Sequence, residues 1–156
     1  MKTNTMKMKI KQGIPEDERL SATTWAFEYF KHVTDVRYFS LIIAQETNWD
    51  ISAKLVDEND NLMGLYLLGN QQVGSIIKDT QYTKLKGVEG VVLAVDKSIR
   101  GLGYGNQLKD YPKTLGVDYI WGQQLKTLKN LDNWLKRRVL IGETGGVYVT
   151  LEEFKK

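Results

Sequence analysis

Polar and apolar positions alternate with period two across Met6–Lys11, where Met6, Met8 and Ile10 interleave with Lys7, Lys9 and Lys11. This predicts an opening edge strand with one dry face, its lysines discouraging further edge pairing. Pro15 followed by Glu16, Asp17 and Glu18 marks a helix start, with acidic residues on the positive end of the dipole. Trp25, Phe27, Tyr29 and Phe30 follow on that helix; plain core packing is the favoured reading, with a pocket wall as the alternative. Phe39, Leu41, Ile42 and Ile43 give residues 36–45 an apolar helical face, although a strand reads almost as well. Residues 51–55 and 62–68 frame a hairpin around the polar turn 57–61. Residues 74–87 form a polar, lysine-bearing stretch that reads as a lid, a short strand or mere connection.

An apolar run, Val91–Val95, breaks into Arg100, Gly101, Leu102, Gly103, Tyr104 and Gly105. A helix is expected over 106–115, with Pro112 kinking or stopping it because proline donates no helical hydrogen bond. A strand over 117–121 comes next. Leu125, Leu128, Leu131 and Leu135 then recur at helical spacing as a core stripe beside Trp134. Residues 139–142 and 147–151 close the chain as a hairpin, and the terminal lysines read as a frayed tail.

At 156 residues, one domain spanning the chain is expected. The absence of cysteine removes disulfides and thiolate chemistry, and a single histidine, His32 at a predicted helix end, leaves no material for a zinc site or an ordinary Ser/His/Asp triad. Asp57, Asn59 and Asn61 mimic the start of a calcium loop, but Leu62 stands where the needed glycine belongs. No apolar block near the start suits export and no run is long enough to span a bilayer, so a cytoplasmic address is the default. A net charge of +3 is too small to argue for nucleic acid, and it mildly favours a polyanionic cofactor.

Glycines spaced two apart after a strand allow successive backbone N–H groups to surround a diphosphate, with the following helix aiming its positive end at the same spot. Asn106 and Gln107 follow Gly105 where a nucleotide triphosphate loop needs lysine and then serine or threonine. A dinucleotide fingerprint would need glycine at position 106, and its loop belongs near the start of a parallel domain. What remains is R-x-x-G-x-G, carried by Arg100, Gly103 and Gly105, which resembles the acyl-CoA loop of the GNAT superfamily of N-acetyltransferases. The expected element order resembles that family as well.

The resemblance implies an α+β fold, a central twisted mixed sheet of six to seven strands flanked by about four helices. It implies acetyl-CoA as cosubstrate and an amine on a small molecule or protein as acceptor, joined by direct transfer in a ternary complex without a metal. Leu93, Ala94 and Val95 stand at the offset of the strand element that meets the pantetheine arm. Arg100, Gly101, Leu102, Gly103, Tyr104, Gly105 and Asn106 correspond to the pyrophosphate loop. Asn130 matches the family's pantetheine-touching asparagine, with Asn133 as competitor. Glu89 is the candidate general base; otherwise it is a strand-end carboxylate, solvated or paired with Lys84 or Lys86. A backbone N–H near Ala94 or Val95 is expected to polarise the thioester carbonyl, given a strand bulge.

The family often supplies a tyrosine on the late helix to protonate the thiolate, and here that helix carries none, so Tyr148 or Tyr104 could substitute, or the thiolate leaves unprotonated. Lys126, Lys129, Lys136, Arg137 and Arg138 form a basic stripe that suits the CoA ribose phosphate, an acidic acceptor or plain solvent. Two rivals stand beside the enzyme: a non-catalytic CoA-binding or structural protein of the same fold, and a nucleic-acid-associated domain, for which no recognisable binding element is present. A homodimer is possible within such a family, and the acceptor is not readable from the chain.

Overall fold

A computed structural model describes residues 7–78 and 81–154. Met6, the first four residues and the terminal lysines, on which some sequence expectations fall, lie outside them. Seven strands form one mixed sheet in the order β1-β2-β3-β4-β5-β7-β6. They are β1 (Lys9–Gln12), β2 (Ala53–Val56), β3 (Leu62–Gly69), β4 (Gly87–Val95), β5 (Tyr119–Leu125), β6 (Val139–Thr144) and β7 (Val147–Glu153), flanked by helices α1 (Arg19–Phe27), α2 (Val36–Glu46), α3 (Tyr104–Asp110) and α4 (Leu131–Leu135). The chain clusters into two compact units, Met1–Gly69 with Val91–Tyr111, and Asn70–Gly90 with Pro112–Lys156, so that β4 contributes one half to each.

In the first unit β1, β2 and β3 run antiparallel, Ile10 opposite Leu55 and Ala53 opposite Tyr66. The acidic start at Glu16–Glu18 is a short 3-10 turn leading into α1. Residues 36–46 are helical, because the Asp35 carboxylate accepts from the Tyr38 N–H at 2.9 Å and caps the first turn. Ala22, Ala26, Phe39 and Ile43 bury against Leu65, Leu67 and Val92, with Trp25, Phe27 and Phe30 packed on this cluster. Core packing therefore accounts for these aromatics. Tyr29 and Phe30 lie beyond the end of α1, as does His32, which is exposed in the turns before α2. The hairpin turn is closed by Asp57, whose Oδ1 accepts from the N–H groups of Asn59 and Asn61, each at 2.9 Å. Those bonds, with the Asn61 side-chain bond foremost, hold the Asp57 carboxyl below its usual range.

α3 ends at Asp110 and tightens into a 3-10 turn over Tyr111–Leu115, the early stop expected from Pro112. Tyr111 anchors this end, its hydroxyl donating to the Ile51 carbonyl at 2.7 Å.

In the second unit, β5 pairs with β7 along its whole length, Trp121 opposite Leu151 and Leu125 opposite Val147. This overrides the helical spacing of the leucines. Leu125 closes a strand, helix α4 is only five residues long, and Leu125 and Leu135 are exposed while Trp134 is the buried member. The first three residues of β4 lie parallel to β5, Gly87 opposite Tyr119 and Glu89 opposite Trp121.

Among the described residues, the stretch between β3 and β4 holds a 3-10 turn, Val73–Ser75, and no strand. Val73 and Tyr82 are buried with Tyr119, Trp121, Val149 and Leu151, and Ile76, Ile77 and Leu85 pack around them. Side-chain amide chemistry holds it there: Gln72 accepts from the Gly87 N–H at 2.8 Å and donates to the Gly87 carbonyl at 2.7 Å, extending the sheet by one side chain. The Trp121 indole donates to the Gln71 carbonyl at 2.7 Å, and the Tyr119 hydroxyl accepts from the Val73 N–H at 3.2 Å.

Candidate functional site

The glycine loop grows out of β4 through a built turn. Asp96, the residue after the strand, accepts from the Ser98 N–H at 2.9 Å and the Ser98 hydroxyl at 2.6 Å through Oδ1, capping a 3-10 turn over Lys97–Ile99. These two bonds, ahead of opposing desolvation, keep the Asp96 carboxyl below its usual range. Ile99 is fully buried and pins the far end of the turn. Gly101 and Gly103 then adopt φ of +82° and +93°, a region that L side chains enter only at a cost. A Cβ built at either position meets no atom within 4 Å, so the backbone is bare and open at both.

Among the described residues, the N–H groups of Gly101, Leu102 and Gly103 donate no hydrogen bond. Gly105 and Asn106 continue the chain into the first turn of α3. Gly103 is the N-cap of α3, its carbonyl accepting from the Gln107 N–H at 3.1 Å. α3 runs for only seven residues, so its dipole is short. Three successive N–H groups that donate to nothing, on backbone left open by two glycines, can donate to an anionic group.

Leu93, Ala94 and Val95 form the end of β4 leading into this turn, Ala94 buried and its neighbours half-buried. Arg100 does not simply point along the loop. Its Nε–H donates to the Val95 carbonyl at 3.0 Å and its guanidinium lies 5.3 Å from the centre of the Tyr29 ring, so part of the cation is spent bracing the loop's base. The Tyr29 hydroxyl in turn donates to Asp96 Oδ2 at 3.0 Å. Sequence reasoning missed Asp96 as the organiser of the turn, although an aspartate two residues before a serine at a strand end is a local capping signal.

Residues 93–106 belong to the first unit, whereas Glu89, Asn130 and Tyr148 belong to the second. Glu89 is 4% exposed, a buried carboxylate rather than a solvated strand end. Asn130 is exposed and precedes α4 as its N-cap residue, without a side-chain cap bond, so it stands outside the helix it was expected to occupy. Tyr148, half-buried on β7, lies opposite Gln124 on one side and Glu143 on the other.

The supposed basic stripe is divided. Lys126 pairs with Glu143 and lies 5.3 Å from the Tyr148 ring centre, while Arg137 approaches Glu152 at 3.6 Å. Arg138 is buried, its guanidinium 4.3 Å from the centre of the Trp134 ring and its Nη1 3.5 Å from the Thr150 hydroxyl, which donates to Gln124 Oε1 at 2.5 Å. Gly122 makes room for this group, since a Cβ there would come within 2.9 Å of Arg138 Nη1. Sequence reasoning also missed this buried polar cluster, because burial of Arg138 depends on Trp134 and Thr150 rather than on local pattern.

No protein-family model matches the sequence, and no curated protein matches it. Solved structures do match in shape. An acetyltransferase of the GNAT family from Listeria monocytogenes superposes with a TM-score of 0.68 at 15% identity, covering 99% of both chains. The PaiA N-acetyltransferase from Thermoplasma acidophilum, solved in complex with coenzyme A, gives 0.66 at 9% identity over 96% of this chain and 100% of that one. A chain of the NatC complex bound to Gag peptide and CoA gives 0.67 at 13% identity, again over 96% and 100%. At such identities the likeness is one of fold, the mixed seven-stranded sheet with its flanking helices.

Proposed function

The chain has the fold of the GNAT acetyltransferases, and we propose that it is a single-domain, acetyl-CoA-dependent N-acetyltransferase acting on an amine. The observation that carries this reading is the loop after β4: two open glycines at positive φ and three backbone N–H groups that donate to nothing in the described structure. Two structural neighbours solved with coenzyme A support the choice of anion. No described helix is long and apolar enough to cross a membrane, and a cytoplasmic address fits a CoA-dependent activity.

Acetyl-CoA, when bound, supplies an activated acetyl thioester. The N–H groups of Gly101, Leu102, Gly103, Tyr104, Gly105 and Asn106 hold its pyrophosphate, and Arg100 contributes charge from the loop's base. The backbone of Leu93, Ala94 and Val95 orients the pantetheine arm, and an N–H near Ala94 or Val95 stabilises negative charge on the reacting carbonyl, a donor of a kind worth about 3 kcal/mol. Asn130 is assigned to the pantetheine side. An alkylammonium with a pKa of about 10.4 must lose a proton before it attacks, and Glu89 takes it, directly or through water. Tyr148 is the candidate to return a proton to the leaving sulfur. These roles divide the work as the chemistry requires: one acceptor of a proton, one donor, and a fixed set of main-chain dipoles.

The test is mass spectrometry of the purified chain for co-purifying CoA, followed by an acetyl-CoA consumption screen against amines. Consumption with at least one amine class supports the enzyme. CoA binding with no turnover on any amine supports the non-catalytic reading.

A further inference from the structure

Tyr29 stands in the turns between α1 and α2, yet both of its functional parts reach the root of the glycine loop. Its hydroxyl donates to Asp96 Oδ2 at 3.0 Å, and its ring lies under the Arg100 guanidinium at 5.3 Å. The Trp25 ring, 5.0 Å away, fixes the Tyr29 ring from behind. We propose that Tyr29 is a positioning residue for the anion-binding loop, latching the connection between α1 and α2 to the two residues that bracket the turn from which the loop emerges. The proposal rests on the acyl-CoA reading of that loop.

Asp96 divides its carboxylate between two tasks. Oδ1 holds the Ser98 N–H and hydroxyl, which shapes the Lys97–Ile99 turn, and Oδ2 holds Tyr29. The Asp96 N–H is itself tied to the Met63 carbonyl at 2.8 Å. On the other side of the turn, Arg100 donates to the Val95 carbonyl at 3.0 Å and stacks on the same phenol ring. One side chain thus grips residues 96 and 100, immediately before two glycines that have no conformational preference of their own. Without the grip the loop must be ordered by its ligand, and that ordering is subtracted from affinity. Burial first, and then the bond to Asp96, pushes the Tyr29 phenol above its usual pKa, so it stays a protonated donor throughout the neutral range.

The experiment uses CoA as probe in calorimetry on the full chain and on Tyr29→Phe, Asp96→Asn and Phe27→Leu. Phe27 packs on the core cluster that Trp25 joins, its ring 5.5 Å from that of Phe39, so Phe27→Leu reports what general destabilisation of the α1 end does to binding. One hydrogen bond to a charged group is worth about 10- to 150-fold, and the part of it that goes into ordering the loop predicts CoA binding about five- to tenfold weaker in Tyr29→Phe. Asp96→Asn, which weakens the same contact from the other side, follows it, and Phe27→Leu keeps wild-type affinity despite a lower Tm. Wild-type affinity in Tyr29→Phe, whatever Asp96→Asn does through its Ser98 bonds, or an equal loss in Phe27→Leu, overturns the latch. Failure of the wild-type chain to bind CoA at all overturns the acyl-CoA reading as well, which separates the two failures.

Discussion

Two glycines, both at positive φ but in different surroundings, isolate what the loop does. Gly103 has φ +93° and Gly116 has φ +72°, and a Cβ at either meets no atom within 4 Å. Alanine at either position therefore strains the backbone without a clash, at about 1–2 kcal/mol, equivalent to a Tm drop of about 2–8 °C for a chain of this size. The two variants are matched in stability but not in consequence. At Gly103 the added methyl sits in the cradle, beside N–H groups that donate to nothing else in the described structure. Displacing one charge-assisted hydrogen bond from a phosphate oxygen costs about 1.5–3 kcal/mol, or roughly 10- to 150-fold in affinity. Calorimetric titration of CoA into Gly103→Ala, Gly116→Ala and the parent, with melting curves for all three, decides the matter. Equal melting losses with CoA binding weakened only in Gly103→Ala are expected; Gly103→Ala binding CoA as Gly116→Ala does would refute the cradle.

Glu89→Gln is expected to lower turnover by about 100-fold or more at neutral pH while leaving acetyl-CoA affinity intact, with the deficit shrinking as pH approaches the acceptor's pKa and the amine deprotonates unaided. A pH–rate profile that overlays the parent removes Glu89 from the mechanism. Burial pushes the Tyr111 phenol up to about 12 from an ordinary value near 10. The folded state thus favours the neutral phenol, and the stability it contributes, intact below pH 10, is lost as pH rises towards 12. Urea melts of the parent should therefore fall more steeply across that window than those of Tyr111→Phe, and parallel curves would contradict the assignment.

Much of the order of elements is legible in the chain because short-range rules operate undisturbed there. Pro15 and the acidic run start the 3-10 turn that leads into α1, Asp57 closes the hairpin with its own carboxylate, and Pro112 stands just past the end of α3. The loop at Gly101 and Gly103 is legible for the same reason, since positive φ is a local demand. Three features were hidden because their causes lie far along the sequence. The leucine stripe from Leu125 fits a helix by spacing, yet seven residue pairs with β7 draw Tyr119–Leu125 into a strand. The described residues between β3 and β4 form no α-helix or strand, only a 3-10 turn at Val73–Ser75, and are held instead by hydrogen bonds of Gln72, Tyr119 and Trp121. Arg100 turns back to Val95 because Tyr29, distant in sequence, offers its ring.

The claim on which the rest stands is that the bare amides after β4 grip the pyrophosphate of a CoA thioester. Nitrogen-15 spectra of the labelled chain titrated with CoA report on those amides one by one. Saturable shifts largest at Gly101, Leu102 and Gly103 are the predicted result, whereas shifts confined to other residues, or none at millimolar CoA, would contradict the account.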